Sequence, residues 1–304
     1  MARVAFLGTP PAAVPSLRAV RTVCEISTVI TRPDRPRGRS GRPRPSAVKE
    51  AALELGLDVS QPETSVELHR VLSELAPLDL CVVVAYGMLI PPSTLTIPER
   101  GFVNVHFSVL PRWRGAAPVQ RAILSGDPRT GVSLLRLDEG LDTGPIVAIR
   151  SSAIGETETS GDLTARLAHA GAAMLGEFAP RLLSGSLVAT PQPSEGVTVA
   201  DKVRPEDARL TVEENPEAFT RRVRAMNPRP GAWAMRGGER MRIFRARPAD
   251  ESVPAGELFF TGDRLLCGVE GGSVELVEVQ PEGKRPMPGA DWARGRRGDL
   301  GSLS

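Results

Sequence analysis

Short apolar runs that alternate with amphipathic stretches dominate the first half of the chain. The runs at 3–8, 25–31, 78–85, 101–105 and 131–137 have the length and composition of strands. Helical stretches such as 11–21 and 66–75 separate them, and a longer helix is predicted over 159–183. This alternation is typical of an α/β fold with a doubly wound, mostly parallel sheet.

The pattern changes after a polar, proline-bearing connection. One helix is predicted at 216–226, followed by short strands at 232–235, 241–247, 256–261, 264–268 and 274–279. Short strands divided by Gly, Pro and Asp suggest a small barrel. We therefore expect a first domain over 1–187, a linker over 188–203 and a second domain over 204–304. The Gly- and Arg-rich tail at 294–304 is expected to be frayed.

Composition indicates an ordinary soluble globular protein. The chain has 304 residues, 41% hydrophobic and 24% charged, with a formal net charge of +2. Attraction to a polyanion would thus have to come from local clusters of charge. The three cysteines are far apart, which disfavours a disulfide framework or a metal site. Their odd number also argues against disulfides, so a reducing cytoplasm is the expected location. No apolar run is long enough to span a membrane, and the N-terminal run is too short for a signal peptide.

The glycine pattern argues against two common cofactor classes. The first turn, at 8–11, lacks the spaced glycines that let a pyrophosphate approach a helix N-terminus. A nicotinamide or flavin dinucleotide is therefore not expected. No glycine-rich loop ends in Lys-Ser or Lys-Thr, so a nucleoside triphosphate is not implied.

Candidate chemistry lies at the end of the strand predicted at 101–105. Asn104 and His106 are two residues apart and so share one face of that strand. The loop after the next strand carries Asp138, Glu139 and Asp142, so an amide, an imidazole and a carboxylate could meet at one edge of the sheet. From the residues alone, His106 is either catalytic or a satisfied structural histidine. Asp142 is either a catalytic carboxylate or a turn residue.

A basic segment follows the second strand, at 32–45. Its arginines alternate with Pro and Gly and are opposed only by Asp34; they are Arg32, Arg35, Arg37, Arg39, Arg42 and Arg44. This composition rules out a helix or a central strand, so the segment must be a loop. It is either a nucleic-acid contact or simply a solvated loop.

Several motifs together resemble the methionyl-tRNA formyltransferases of the folate-dependent formyltransferase family. They are Ser-Val-Leu-Pro-Arg-Trp-Arg-Gly-Ala-Ala-Pro-Val-Gln at 108–120, Leu-Asp-Thr-Gly at 141–144, and shorter matches at 31–36, 84–87, 226–233 and 283–287. The resemblance covers almost the whole chain. It implies a formyl-transfer domain with a doubly wound sheet, followed by an OB-like barrel that binds tRNA.

The resemblance also implies a reaction and catalytic residues. A formyl group would move from 10-formyltetrahydrofolate to the α-amine of methionyl-initiator tRNA, for translation initiation and without a metal. Asn104 and His106 would donate to the oxygen of the tetrahedral intermediate. Asp142 would orient His106, favour its charged form and help to move protons from the amine.

Further contacts follow from the same resemblance. The folate would be held by Ser108, Val109, Leu110, Pro111, Tyr86, Gly87, Met88, Leu89, Asp138, Gly140 and Leu141. The tRNA acceptor stem would be contacted by Arg35, Arg37, Arg39, Arg42 and Arg44. Phe107 departs from the small residue found in many relatives and is expected to tighten the folate pocket or to pack beneath it.

Weaker tRNA candidates are Arg221, Arg222 and Arg224, where a solvated helix face is the alternative. A monomer is expected. Two other functions remain open: another folate-dependent formyltransferase or hydrolase, and a non-catalytic tRNA-binding protein. The basic segment and the predicted barrel disfavour the first, and the intact Asn104, His106 and Asp142 disfavour the second.

Overall fold

The computed structural model describes residues 2–36, 41–296 and 300–304. The strands are β1 (Arg3–Gly8), β2 (Glu25–Ile30), β3 (Arg35–Pro36), β4 (Pro43–Arg44), β5 (Val59–Ser60), β6 (Leu80–Val84), β7 (Phe102–His106), β8 (Arg114–Gly115), β9 (Arg129–Arg136), β10 (Ile146–Ala153), β11 (Val199–Ala200), β12 (Trp233–Arg236), β13 (Glu239–Ala249), β14 (Leu258–Phe260), β15 (Leu265–Val269), β16 (Gly272–Pro281) and β17 (Met287–Pro288). The helices are α1 (Val14–Val23), α2 (Ala47–Glu54), α3 (Ser65–Glu74), α4 (Pro92–Leu95), α5 (Pro118–Leu124), α6 (Ser160–Leu183), α7 (Pro216–Met226) and α8 (Gly289–Arg294).

The first compact unit comprises 1–115, 130–152 and 164–199. Its main sheet has the strand order β10-β9-β7-β6-β1-β2-β5. The pairs β1/β2, β1/β6, β2/β5 and β6/β7 are parallel, whereas β7 and β9 are antiparallel. The predicted doubly wound, mostly parallel sheet is thus confirmed. Its central strands read as continuous apolar runs because both faces are covered, and residues such as Phe6 and Leu80 are fully buried.

Several elements of this unit were not predicted from the sequence pattern, among them β10 and α2. Strand β10 has no fully buried residue, and its apolar run at 146–149 gives way to Arg150 and two serines, so no strand was predicted there. Helix α2 follows the basic segment and begins at Ser46, whose side chain accepts a hydrogen bond from the Lys49 N–H as an N-cap. The predicted helix at 159–183 is α6.

The second compact unit comprises 116–129, 153–163 and 200–304. Its sheet has the order β12-β13-β16-β15-β14, with β17 beside β16, and these pairs are antiparallel. The register of β13 against β16 shifts at Ile243–Ala246, and such bulges bend a strand. Phe219 and Val223 of α7 are fully buried. The predicted fold class, with a small OB-like barrel after the α/β sheet, is confirmed.

The prediction that the tail is frayed was wrong for its last residues. Met235 and Ser304 exchange two backbone hydrogen bonds, with N to O distances of 2.8 and 2.9 Å. Leu300 and Leu303 are buried. The apolar side chains at the end of the tail thus hold it against β12, although Gly and Arg dominate its composition.

The predicted domain boundaries stay a prediction. The compact units are discontinuous in sequence, and residues 188–199 of the predicted linker group with the first unit. Among the residues described, no helix has the length and apolarity needed to cross a membrane.

Candidate active site

Strand β7 presents the amide and the imidazole on one face. Asn104 is half-buried and His106 is only 6% exposed. Because β9 runs antiparallel to β7, its last residue, Arg136, pairs with Val103 near the start of β7. The loop at 137–145 then turns back along β7 and is closed by a hydrogen bond from the Arg136 N–H to the carbonyl of Pro145.

The turned-back loop brings the carboxylate of Asp142 to both side chains of β7. Asp142 Oδ1 accepts a hydrogen bond from Asn104 Nδ2 at 3.3 Å, and Oδ2 lies 3.5 Å from His106 Nδ1. Oδ2 also accepts the backbone N–H of Gly115 at 2.9 Å. Asp142 is 9% exposed and has a φ of 53°, a left-handed conformation that Asp tolerates better than most residues. The predicted amide, imidazole and carboxylate therefore form one cluster, in which His106 and Asp142 are buried.

The other ring nitrogen of His106 is also engaged. His106 Nε2 donates to the carbonyl of Trp113 at 2.7 Å. Both ring nitrogens thus face oxygens that only accept, an arrangement that suits a ring with two donors. Trp113 has a φ of 64°, which is unusual for an aromatic residue, and its N–H is held by Thr198 Oγ1 at 2.8 Å. Strained backbone of this kind is concentrated at functional sites.

A hydrogen-bonded turn carries the chain from His106 to Trp113. Ser133 Oγ of β9 donates to the carbonyl of Ser108 at 2.7 Å and accepts the Leu110 N–H at 3.1 Å. Ser108 Oγ donates to the carbonyl of Arg112 at 2.6 Å. The hydroxyl of Ser108 is therefore used inside the protein. Phe107 is buried, and its ring is among the atoms nearest to Gly171 of α6, so this side chain packs beneath the sheet.

Gln192 is a site residue that the sequence reasoning missed. Its Nε2 donates to the carbonyls of Asp142 and Gly144, at 2.7 and 2.8 Å. Its Oε1 accepts from Nε and Nη2 of Arg114, at 3.0 and 2.7 Å. The predicted linker is thus hydrogen-bonded to both loops of the cluster. The only local signal was a polar residue between two prolines, at 191–193.

The predicted folate residues divide into two groups. Tyr86, Ser108 and Leu110 are buried, and burial raises the pKa of the Tyr86 hydroxyl to about 12 despite nearby Arg32. Val109, Pro111 and Met88 are half-buried. The exposed members are Gly87, Leu89, Asp138, Gly140 and Leu141. Leu89 and Leu141 are 80% and 62% exposed, and large apolar side chains left in water often mark a binding surface.

The basic segment begins and ends as a short hairpin. β3 and β4 are antiparallel, and Arg35 pairs with Arg44. Arg37 and Arg39 lie outside the described residues. The remaining predicted tRNA contacts are exposed and form no ion pair with any residue that the structure describes. We call them the three loop arginines: Arg35, Arg42 and Arg44.

A polar network holds the base of this segment. Lys49 Nζ contacts Asp34 Oδ2 at 2.8 Å, and Gln61 Nε2 donates to Asp34 Oδ1 at 2.8 Å. The hydrogen bonds from Lys49 and Gln61 lower the pKa of Asp34. Thr31 and Ser46 share a buried hydrogen bond of 2.7 Å between their hydroxyls. The charge of Asp34 is therefore balanced by Lys49 and not by the three loop arginines.

The three arginines of α7 have structural partners. Arg222 pairs with Glu214, a contact that raises the pKa of the guanidinium. Arg224 Nη1 donates to the carbonyl of Gly155 at 3.0 Å. Arg221 packs against Gly126. These contacts favour a structural role over an exposed tRNA contact.

The described residues contain no cluster of His, Cys, Asp and Glu that could hold a metal ion. The cysteines are buried thiols. Burial raises the pKa of Cys24 to about 11 and that of Cys267 to about 12, and it also raises that of Cys81. Such thiols are packing residues and poor nucleophiles at neutral pH.

Comparison with known families gives two matches along the chain. Residues 2–178 match the model described as formyl transferase, and residues 202–297 match formyl transferase, C-terminal domain. A methionyl-tRNA formyltransferase of Streptomyces griseus is 45% identical, covering 99% of each chain. One from Paracoccus denitrificans is 44% identical, covering 96% of this chain and 97% of the relative.

Solved structures share the fold at lower identity. An N-formyltransferase from Helicobacter canadensis, solved with folinic acid and dTDP-3-aminofucose, superposes with a TM-score of 0.71 at 16% identity, covering 92% of this chain and all of that one. HypX from Aquifex aeolicus, solved with tetrahydrofolic acid, has a TM-score of 0.64 at 19% identity. It matches 96% of this chain and 47% of its own length.

Proposed function

The chain belongs to the formyl transferase family, and from this premise we propose that it transfers the formyl group of 10-formyltetrahydrofolate to the α-amine of methionyl-initiator tRNA. Relatives that match almost the whole chain at about 45% identity are named methionyl-tRNA formyltransferases. The observation that carries the proposal for this chain is the contact of the buried Asp142 carboxylate with both Asn104 and His106. That arrangement provides donors for an oxyanion and a route for protons.

Asn104 is suited to stabilise the intermediate of acyl transfer. Attack of the neutral amine on the formyl carbon places negative charge on the formyl oxygen, which needs donors that are already oriented. A side-chain amide has two N–H donors. Since Asp142 Oδ1 takes one of them, the other is held ready for the formyl oxygen.

His106 and Asp142 complete the cluster. The carboxylate lies beside Nδ1 of His106 and fixes the ring. Nε2 donates to the Trp113 carbonyl in the structure, so we infer that the formyl oxygen replaces this carbonyl when substrate binds. Catalytic hydrogen bonds often form in full only with substrate present. The carboxylate then assists removal of the proton from the attacking amine, and the departing folate nitrogen gains a proton.

Exposed apolar side chains near the site are suited to bind the folate donor. Leu89 follows β6, and Leu141 precedes Asp142 in the loop. Covering these side chains with a flat pterin would remove apolar surface from water, at about 25 cal/mol per Å². Ser108 and Leu110 are buried, so we assign them to shaping the turn and assign the direct contacts to the exposed group.

The acceptor would be recognised by arginines. The three loop arginines are exposed without acidic partners among the described residues, which leaves their guanidinium groups available for phosphates and bases. In the second unit, Arg240 lies 4.0 Å from the ring centre of Trp233, and Arg242 pairs with Trp233 across the strands. We propose this exposed face of β13 as a further tRNA contact in place of the α7 arginines.

In the test, purified protein and 10-formyltetrahydrofolate are incubated with each of two acceptors, methionyl-tRNA and a dTDP-amino sugar. Formylmethionyl-tRNA as the product supports the proposal. Formylation of the sugar alone would favour the small-amine alternative, and release of formate with neither acceptor used would favour a hydrolase. Binding of tRNA with no turnover of the folate would favour a non-catalytic tRNA-binding protein.

A further inference from the structure

Gln192 lies between the two loops that build the active site. Its side-chain amide bridges the carbonyls of Asp142 and Gly144 with one nitrogen and accepts two hydrogen bonds from Arg114 with its oxygen. Gly115, the next residue after Arg114, donates its N–H to the Asp142 carboxylate. Gln192 therefore fixes the backbone of Asp142 and the segment that meets its carboxylate.

We propose that Gln192 is a positioning residue that holds Asp142 in its catalytic conformation. Asp142 has a left-handed φ of 53°, which costs free energy for a residue other than glycine and persists only where the surroundings impose it. The two hydrogen bonds to the carbonyls of residues 142 and 144 impose it directly. This inference rests on the proposed function.

Only a side-chain amide satisfies this position. Two carbonyls need two N–H donors, and the two donors of Arg114 need an acceptor, so Gln192 uses its whole hydrogen-bonding capacity. Glu at this position could pair with Arg114 but would turn an oxygen toward the two carbonyls. Leu would fill a similar volume and make none of the bonds.

Kinetics of Gln192→Leu and Gln192→Glu provide the first test. We expect kcat to fall roughly tenfold to one hundredfold in both, because a small displacement of a catalytic group has effects of this size. KM for either substrate should change less than about threefold. Thr22→Val is the control, since the exposed Thr22 Oγ1 also donates to a backbone carbonyl, that of Ala19, at 2.7 Å on α1. A Gln192→Glu variant with normal kcat would overturn the proposal.

A double-mutant cycle separates positioning from a general loss of structure. If Gln192 acts through the carboxylate of Asp142, Gln192→Leu should lower kcat by less than about twofold when Asp142→Asn is already present. If the decrease in kcat of the double variant equals the product of the two single decreases, the two residues act independently and the proposal is wrong.

Amide hydrogen exchange tests the same link without catalysis. The Gly115 N–H is bonded to Asp142 Oδ2, so its exchange reports the position of the carboxylate. Gln192→Leu should speed this exchange at least about tenfold, and Thr22→Val should leave it unchanged. Unchanged exchange in Gln192→Leu would overturn the inference. If the wild-type protein did not formylate methionyl-tRNA, the proposed function would fail, and this exchange result would still decide the Gln192 link.

Discussion

Replacing Asp142 with Asn is the substitution that bears most sharply on the active site. Asn tolerates the left-handed backbone and has the same shape, so the variant should fold. It removes a charge 3.5 Å from His106 Nδ1 in a site that is 9% exposed. When the His106 ring is protonated, two charges at this separation attract each other by about 5 kcal/mol at an effective dielectric constant of about 20, before desolvation is subtracted.

The hydrogen-bonding pattern gives a second reason to expect a loss of activity, beside the loss of charge. The carboxylate accepts from Asn104 on one oxygen and from Gly115 on the other. An amide can accept on one side only, so its NH₂ must face a donor or force Asn104 to rotate. Rotation would misplace the N–H proposed for the oxyanion, and losing one such donor costs a factor of about 100 to 1000, or about 3 to 4 kcal/mol.

Steady-state formylation of methionyl-tRNA measures the effect. We expect kcat of Asp142→Asn to fall about 100- to 1000-fold, with the KM values nearly unchanged and the thermal midpoint within a few degrees. The control is Asp58→Asn, which removes an exposed carboxylate elsewhere in the first unit. A kcat within about threefold of wild type would refute the role given to the carboxylate.

Three further predictions follow from contacts outside the cluster. Replacing the three loop arginines with alanine should weaken tRNA binding and reduce the slope of log affinity against log salt by about 2 to 3, with folate affinity unchanged; an unaltered slope would remove them from the tRNA contact. The pKa of Asp34 is lowered chiefly by the hydrogen bond from Lys49, so its stabilisation is present above the unfolded pKa of about 3.9 and lost as pH falls through the folded value. As pH falls below about 4, the free energy of unfolding, measured by denaturant titration, should therefore fall less for Asp34→Asn than for wild type. The same decrease in both proteins would contradict this. Cys24, whose pKa burial raises to about 11, should resist alkylation at neutral pH until the protein unfolds, and rapid labelling of the native protein would contradict its burial.

The sequence predicts most of the first unit because its central strands are buried on both faces. Runs such as those of β1 and β6 contain little besides apolar residues, so their pattern is strong. The period of two along β7 likewise places Asn104 and His106 on one face. The edge strand β10 has only a short apolar run, at 146–149, and a polar second half that is half-buried or exposed, so its pattern is weaker and the strand was not predicted.

The remaining features depend on contacts between distant residues. The antiparallel direction of β9, which turns the loop of Asp142 back along β7, has no local signature. Gln192 contacts residues 50 and 48 positions earlier in the chain and lies in a stretch whose composition is typical of a linker. The carbonyl of Trp113 meets His106 only because the turn after β7 takes its particular course. Backbone partners of this kind carry no residue type by which a sequence could reveal them.

Formylation of methionyl-initiator tRNA, compared with methionyl-elongator tRNA, tests the central claim most directly. The purified protein would be supplied with 10-formyltetrahydrofolate and each tRNA in turn, and formylmethionine would be measured after release from the tRNA. The proposed function predicts rapid formylation of the initiator and little of the elongator. Folate that stays intact with the initiator present, or formate released without formylmethionine, would contradict it.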